Sequence, residues 1–282
     1  MDDNNHKQQY LKIAMCQMNV VDNKDENLKK AEEMILYSLK DDPDLIVLPE
    51  MFNCPYDNLK FIEYAENRNN SCTLNFISKI AKKHKIYIVA GSIPEFDNGK
   101  IYNSSFVFDF NGKIIACHRK IHLFDIDVKN GVYFKESDTL SAGNEITVVK
   151  TEFGKIGIAI CYDVRFPELS RLMVDKGANI LIFPGAFNLN TGPVHWELLF
   201  KSRALDNQVF TLGVAPALNN ENDYKSYGHS IICSPWGNVL IQGDYNEELL
   251  IYKIDLTEIK RIREELPLLK HRREDIYSIC KK

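Results

Sequence analysis

A carboxylate, an ammonium and a thiol each stand where a strand pattern stops. Residues 45–48 (LIVL) run into Pro49-Glu50, residues 113–118 into Arg119-Lys120, and residues 155–160 into Cys161 and the segment ending at Arg165. Ligand sites of open α/β sheets gather at the carboxyl ends of strands, so these three groups could meet in one cleft. A thiol beside a carboxylate is a nucleophile beside its base. The start of a helix after Cys161 and a nearby ammonium would both favour the thiolate. Each residue also has a plainer reading. Free Cys is often buried and inert, Glu often ends a strand in solvent, and Lys is usually a surface charge.

The elements that must position these groups alternate between strand and helix. Residues 11–20 read as a strand, after which Asp22 and Asn23 can cap a helix with Leu28, Ala31, Met34, Ile35 and Leu39 on one face. The continuous apolar run 45–48 marks a strand covered on both faces. A helix over 73–85 and a strand over 87–93 follow. Residues 101–110 and 113–120 around Asn111-Gly112 read as a hairpin. Residues 124–145 read as loop. Strands are expected at 146–153, 155–160, 179–183, 209–217, 228–234 and 249–254. Helices are expected from Pro167, over 196–207 and over 257–266. This mixture of hairpins and β–α alternation fits one α/β domain over 11–282 with two helix-covered sheets. Residues 1–10 read as a flexible tail, and the charged stretch from about 257 as an arm able to pack on a partner.

Composition and missing motifs narrow the chemistry. The 282 residues carry 35 Lys plus Arg against 39 Asp plus Glu, a net charge of −4 that argues against a generally basic nucleic-acid binder. No apolar run approaches the roughly 20 residues of a membrane span, and the polar first residues lack a secretory apolar region. Seven cysteines without a C-x-x-C pair fit reduced thiols in a cytoplasmic protein better than a zinc site or a disulfide framework. The sequons at Asn69 and Asn103 therefore read as chance matches. There is no GxGxxG, no Walker A motif and no HExxH, and Gly228-His-Ser230 lacks the closing glycine of a nucleophile elbow.

Taken together, LIVLPEMFNCPY (45–56), HRKIHLFDID (118–127) and GIAICYDVRFPELSRL (157–172) resemble the nitrilase superfamily of carbon–nitrogen hydrolases. The resemblance runs from about Lys12 to Tyr277. It implies a four-layer α-β-β-α sandwich with Glu50, Lys120 and Cys161 as the catalytic set. It also implies a second glutamate, Glu136, that positions the lysine or polarises substrate. The backbone N–H of Tyr162 would join Lys120 in holding the oxyanion, and no metal or cofactor would be needed.

PGAFNLNTGPVHWELL (184–199) and SRALDNQVF (202–210) look like omega-amidases, which act on small dicarboxylate monoamides. Arg165 would then clamp the distal carboxylate, with Phe52, Tyr56 and Phe124 lining the pocket. His122 and His195 are left as structural residues and Trp196 as packing. Asp57 and residues 217–225 depart from the omega-amidase pattern. A deaminated-glutathione amidase, another amidase of the superfamily, or a silent scaffold of the same fold stay open. The resemblance further implies a homo-oligomer, a dimer or larger.

Overall fold

The computed structural model describes residues 9–129 and 133–281. The tail expected over residues 1–10 thus lies almost wholly outside the described residues. Tyr10 already belongs to β1 (Tyr10–Gln17), which leads to α1 (Lys24–Ser38), β2 (Leu45–Val47), α2 (Asn58–Tyr64), β3 (Glu66–Asn67) and α3 (Cys72–His84). Next come β4 (Tyr87–Val89), β5 (Ile93–Asp97), β6 (Lys100–Phe108), β7 (Ile114–Arg119), β8 (Asp125–Asp127) and β9 (Tyr133–Lys135). The second half holds β10 (Thr147–Thr151), β11 (Gly154–Ile158), α4 (Pro167–Asp175), β12 (Ile180–Pro184), α5 (Gly192–Asn207) and β13 (Phe210–Val214). It closes with β14 (Ile231–Cys233), β15 (Val239–Gln242), β16 (Glu248–Asp255) and α6 (Thr257–Glu265).

Two sheets result. The first has 8 strands in the order β16-β1-β2-β4-β6-β5-β3, with β7 paired to β6. The second has 6 strands in the order β10 to β15. Period-two alternation explains how they stack. Ile13, Met15, Val47 and Val89 point inward and meet Ile158, Ile182, Leu212 and Val214 of the other sheet. Their chain neighbours Ala14, Cys16, Ile46 and Ile88 face outward, packing with Leu28, Ala31 and Ile35 of α1 and Leu74 and Ile77 of α3. Leu181 and Phe183 of β12 pack likewise with Leu169 and Met173 of α4 and Trp196 and Phe200 of α5. The order of layers is therefore helix, sheet, sheet, helix.

Local signals account for several boundaries. Asn23 caps α1 through Oδ1, accepting from the Glu26 N–H at 3.2 Å. Asp57, a departure in the sequence comparison, is the N-cap of α2 and accepts from the N–H groups of Leu59 and Lys60 at 2.8 and 3.1 Å. The expected loop over 124–145 instead contains the β8–β9 hairpin and a 3-10 turn, Glu136–Asp138. Strands of 3 residues are too short to show a period. The segment after α6 lies on its own chain: Arg272 Nη1 pairs with Asp175 at 2.8 Å, and the Gln208 side chain donates to the Leu266 carbonyl. None of the described helices is long and apolar enough to cross a membrane.

Candidate active site

The ends of β2, β7 and β11 converge. Glu50, Lys120 and Glu136 have no exposed surface, and Cys161 is 4% exposed. Lys120 Nζ donates to Glu136 Oε1 at 2.9 Å, to Glu50 Oε1 at 3.1 Å and to the Tyr56 hydroxyl at 3.2 Å. Tyr56 in turn donates to Glu136 Oε1 at 2.6 Å. The backbone N–H of Phe124 holds the other oxygen of Glu136 at 2.6 Å. Glu50 is fixed from two further sides, by Asn103 Nδ2 at 2.8 Å and by the Ala186 N–H at 2.7 Å. Two carboxylates thus surround one ammonium in a space closed to solvent.

Backbone geometry brings these groups together. The residue after Glu50, Met51, and Cys161 itself both adopt the left-handed region, with φ of 50° and 48°. Such conformations are uncommon for side-chain-bearing residues and persist only where surroundings enforce them. Gly91 makes one of the enforcing contacts: a Cβ there would lie 1.9 Å from the Pro49 carbonyl oxygen. Cys161 begins a 3-10 turn, Cys161–Arg165, whose first bond runs from the Asp163 N–H to the Ile160 carbonyl at 3.0 Å. The Tyr162 N–H precedes that bond, among the amides a helical start leaves free of intrahelical partners.

Burial dominates the ionisation of the cluster. It raises Glu50 above the ordinary carboxylate value; Lys120 opposes the rise and Glu136 adds to it. Burial also works against the charge of Lys120, but Glu136 and Glu50 outweigh it and hold the ammonium protonated. The Cys161 thiol is pushed well above its ordinary value by burial and next by Glu50, with Lys120 opposing. Lys120 thus favours the thiolate as expected, but burial and Glu50 together outweigh it. The net direction is toward the neutral thiol.

The other expected site residues divide. Tyr56 and Phe124 belong to the cluster, Tyr56 through its hydroxyl and Phe124 through its amide as well as its ring, which meets Tyr162 at 5.2 Å. Phe52 does not line the site: beyond the turn at Met51 it enters the core under α1 and α3 with Leu48, Leu74 and Phe106. Met51, Tyr56, Ala186, Asn222 and Tyr224 instead border a small cavity of about 20 Å³ beside Glu50. A larger cleft of about 1380 Å³, bordered by Lys150, Lys155, Ile259 and Lys260, includes none of Glu50, Lys120 and Cys161.

Arg165 pairs with neither Asp163 nor Glu168. Its guanidinium lies 4.6 Å from the centre of the Phe187 ring and 5.6 Å from that of Tyr162. Nη1 meets Nδ1 of His195 at 3.1 Å, and the buried Nε has no partner among the described residues. Burial lowers its pKa, and the groups that raise it are Cys161, Tyr162 and Tyr224, with no carboxylate among them. His195 is thereby tied to the site. Burial first and Arg165 second lower its pKa and disfavour the imidazolium.

Asn103 and Tyr224 were not foreseen. Asn103 stood out only as a sequon. Tyr224 lies in the divergent 217–225 segment and packs its ring, tilted, against Tyr56 at 4.5 Å. Neither carries a pattern that single-sequence reading can separate from a loop or strand residue.

Residues 12–264 match the family model described as carbon-nitrogen hydrolase. The chain belongs to the carbon-nitrogen hydrolase family. Among its relatives, "Omega-amidase NIT3" of Saccharomyces cerevisiae is 45% identical, the alignment covering 96% of each chain. "Omega-amidase NIT2" of Mus musculus is 42% identical over 95% of this chain and 97% of that protein. The solved structure of Saccharomyces cerevisiae Nit3, described as a member of the nitrilase superfamily, superposes with a TM-score of 0.87 over 94% of this chain and 97% of that one. This carbon-nitrogen hydrolase therefore has the expected α/β nitrilase fold.

Proposed function

We propose that this amidohydrolase is an omega-amidase. It would hydrolyse the terminal amide of small dicarboxylate monoamides, such as 2-oxoglutaramate, 2-oxosuccinamate and succinamate, with Cys161 as nucleophile. The observation that carries this reading is the Arg165 guanidinium, which has no carboxylate partner among the described residues, leaves its buried Nε unbonded and ends the same turn that Cys161 begins. A substrate with an amide at one end and a carboxylate at the other supplies the missing anion.

Glu50 takes the thiol proton as Sγ attacks the amide carbon. The oxyanion is received by the Lys120 ammonium and the Tyr162 N–H, and one such preorganised donor is worth about 3–4 kcal/mol. Glu136 and Tyr56 keep the ammonium aimed. The C–N bond then breaks, Glu50 returns the proton to the leaving nitrogen, and ammonia departs from a thioester. Water gives a proton to Glu50 and attacks the thioester carbonyl. The thiolate leaves and recovers that proton, releasing the acid. Amide and water go in; acid and ammonia come out.

Rates on 2-oxoglutaramate, deaminated glutathione and a simple nitrile test the substrate. The first should exceed the others in kcat/KM. In addition, Arg165→Ala should raise KM for succinamate while sparing an uncharged amide such as propionamide. Equal use of succinamate by Arg165→Ala and wild type would remove the clamp. Self-association is part of the same proposal, through α5, which leaves Val194 and Leu198 65% and 61% exposed. Sedimentation should show a dimer or larger, and Val194→Lys should shift it toward monomer.

A further inference from the structure

Asp163 takes no part in the chemistry above, yet its buried carboxylate is bonded on every side. Oδ1 accepts from the His122 backbone N–H at 2.9 Å and meets Nδ1 of the same residue at 2.7 Å. Oδ2 accepts from the Ile160 N–H at 3.0 Å and meets His118 Nε2 at 3.1 Å. The side chains of Asp163 and His118 are both 0% exposed. The second ring nitrogen of His118 meets Thr147 Oγ1 at 3.0 Å.

These bonds join parts of the fold that apolar packing alone holds loosely in register. His118 is on β7 of the first sheet, just ahead of Lys120. Thr147 begins β10 of the second sheet, and Asp163 sits in the turn that follows β11 of the same sheet. The layer between the sheets is otherwise apolar, built of Ile, Val, Leu and Met with Tyr87, Phe153 and Phe210. Hydrophobic attraction there is strong but non-directional, whereas a hydrogen bond between buried polar groups tolerates little displacement. The bond from Ile160 to Asp163 also spans Cys161, tying the residues on both sides of its left-handed backbone. The His122 ring is held by Asp163 at one edge and stacks on Phe166 at 3.6 Å.

We propose that Asp163 is a positioning residue for the hydrolysis, acting with His118 and His122 to set the Cys161 turn of one sheet against the Lys120 strand end of the other. This rests on the reading of Glu50, Lys120 and Cys161 as the reacting set. Burial opposes the charge of Asp163, but His118, His122 and the Ile160 N–H outweigh it and keep the carboxylate ionised.

The test uses the full chain with succinamate, recording kcat, KM, melting temperature and the rate of Cys161 alkylation by iodoacetamide. His118→Leu removes the bond, whereas His118→Gln keeps a donor where Nε2 stood. His122→Leu and His122→Asn form the matching pair for Nδ1. Misplacing a reacting group by about 1 Å costs about 10²-fold. The Leu variants should lose kcat on that scale with KM little changed and alkylation altered. The Gln and Asn variants should recover most of the loss. Folded Leu variants that melt earlier yet keep wild-type kcat and alkylation would overturn the proposal. So would Gln and Asn variants as impaired as the Leu variants. Cys161→Ala is the control: if it stays active, the active-site reading itself is wrong and the proposal falls with it.

Discussion

Adjacent residues at the end of β7 open two ion networks of opposite character. Arg119 points to the edge of the first sheet, pairing with Glu95 at 2.8 Å and Asp97 at 2.8 Å while lying over the Tyr102 ring at 4.0 Å. Arg68 adds a second guanidinium to Glu95 at 2.7 Å. Lys120 points the other way, into the closed space with Glu50 and Glu136. The divergence repeats on the paired strand, where Ser104 bonds Glu95 and Asn103 bonds Glu50. One period-two alternation therefore sorts both strands into a structural side and a site side. The edge network matches two cations to two acids, and the Arg119 side chain is 25% exposed. Burial works against the Glu95 charge, but Arg119, Ser104 and Arg68 hold its pKa below the ordinary value. In the closed network two acids share one cation, and the Glu50 pKa rises. Full compensation makes a brace; an uncompensated buried acid makes a base.

Four measurements sharpen this contrast. The largest effect is expected for Cys161→Ala, which removes the bond-forming atom and should cut kcat by about 10⁴-fold or more. Ammonia release from succinamate is the readout. Next, Lys120→Met removes an oxyanion donor and strands two carboxylates. It should cost about 10²–10³-fold in kcat and about 3–5 kcal/mol in denaturant unfolding. Arg119→Met, one residue away, should leave kcat near wild type. Because Arg68 still pairs with Glu95, its stability loss should be about 1–3 kcal/mol. If the two substitutions lowered activity alike, the division into brace and site would be wrong.

The smallest effect is a displacement along the pH axis, with opposite signs for the two networks. Glu95 has a depressed pKa, so its stabilisation is present above the ordinary carboxylate range and is lost as pH falls through its folded value. Glu50 has a raised pKa, so its contribution to stability is present at low pH and is lost as pH rises through the folded value. In the proposed mechanism activity needs the Glu50 carboxylate. The acid limb of kcat/KM should therefore fall above the ordinary value of 4.5, and Arg119→Met should leave that limb in place.

Much of the frame was legible because it depends on near neighbours in the chain. Asn23 caps α1, and the strand pair flanking Asn111-Gly112 forms as its turn residues require. The three strand ends are where the apolar runs stop. Less legible was anything built from distant residues. The β16–β1 pairing joins Tyr10 to Asp255 and Gln17 to Glu248, a register no local pattern encodes. Phe52 looked like a pocket aromatic from its place beside Glu50, but the left-handed Met51 turns the chain and leads it into the core.

The sequence by itself determined which chemical groups stand at the strand ends and the family, because residue type and order are enough for these. Only the tertiary structure decided which state those groups occupy. Desolvation and the company of distant charges push Cys161 toward the thiol, raise the Glu50 pKa and hold Lys120 as an ammonium. They also leave Arg165 without a carboxylate partner among the described residues and hold Asp163 between two histidines. Electrostatic environment is set by what surrounds a group in space, and Glu50 takes its surroundings from β6, β7 and the residues after β12.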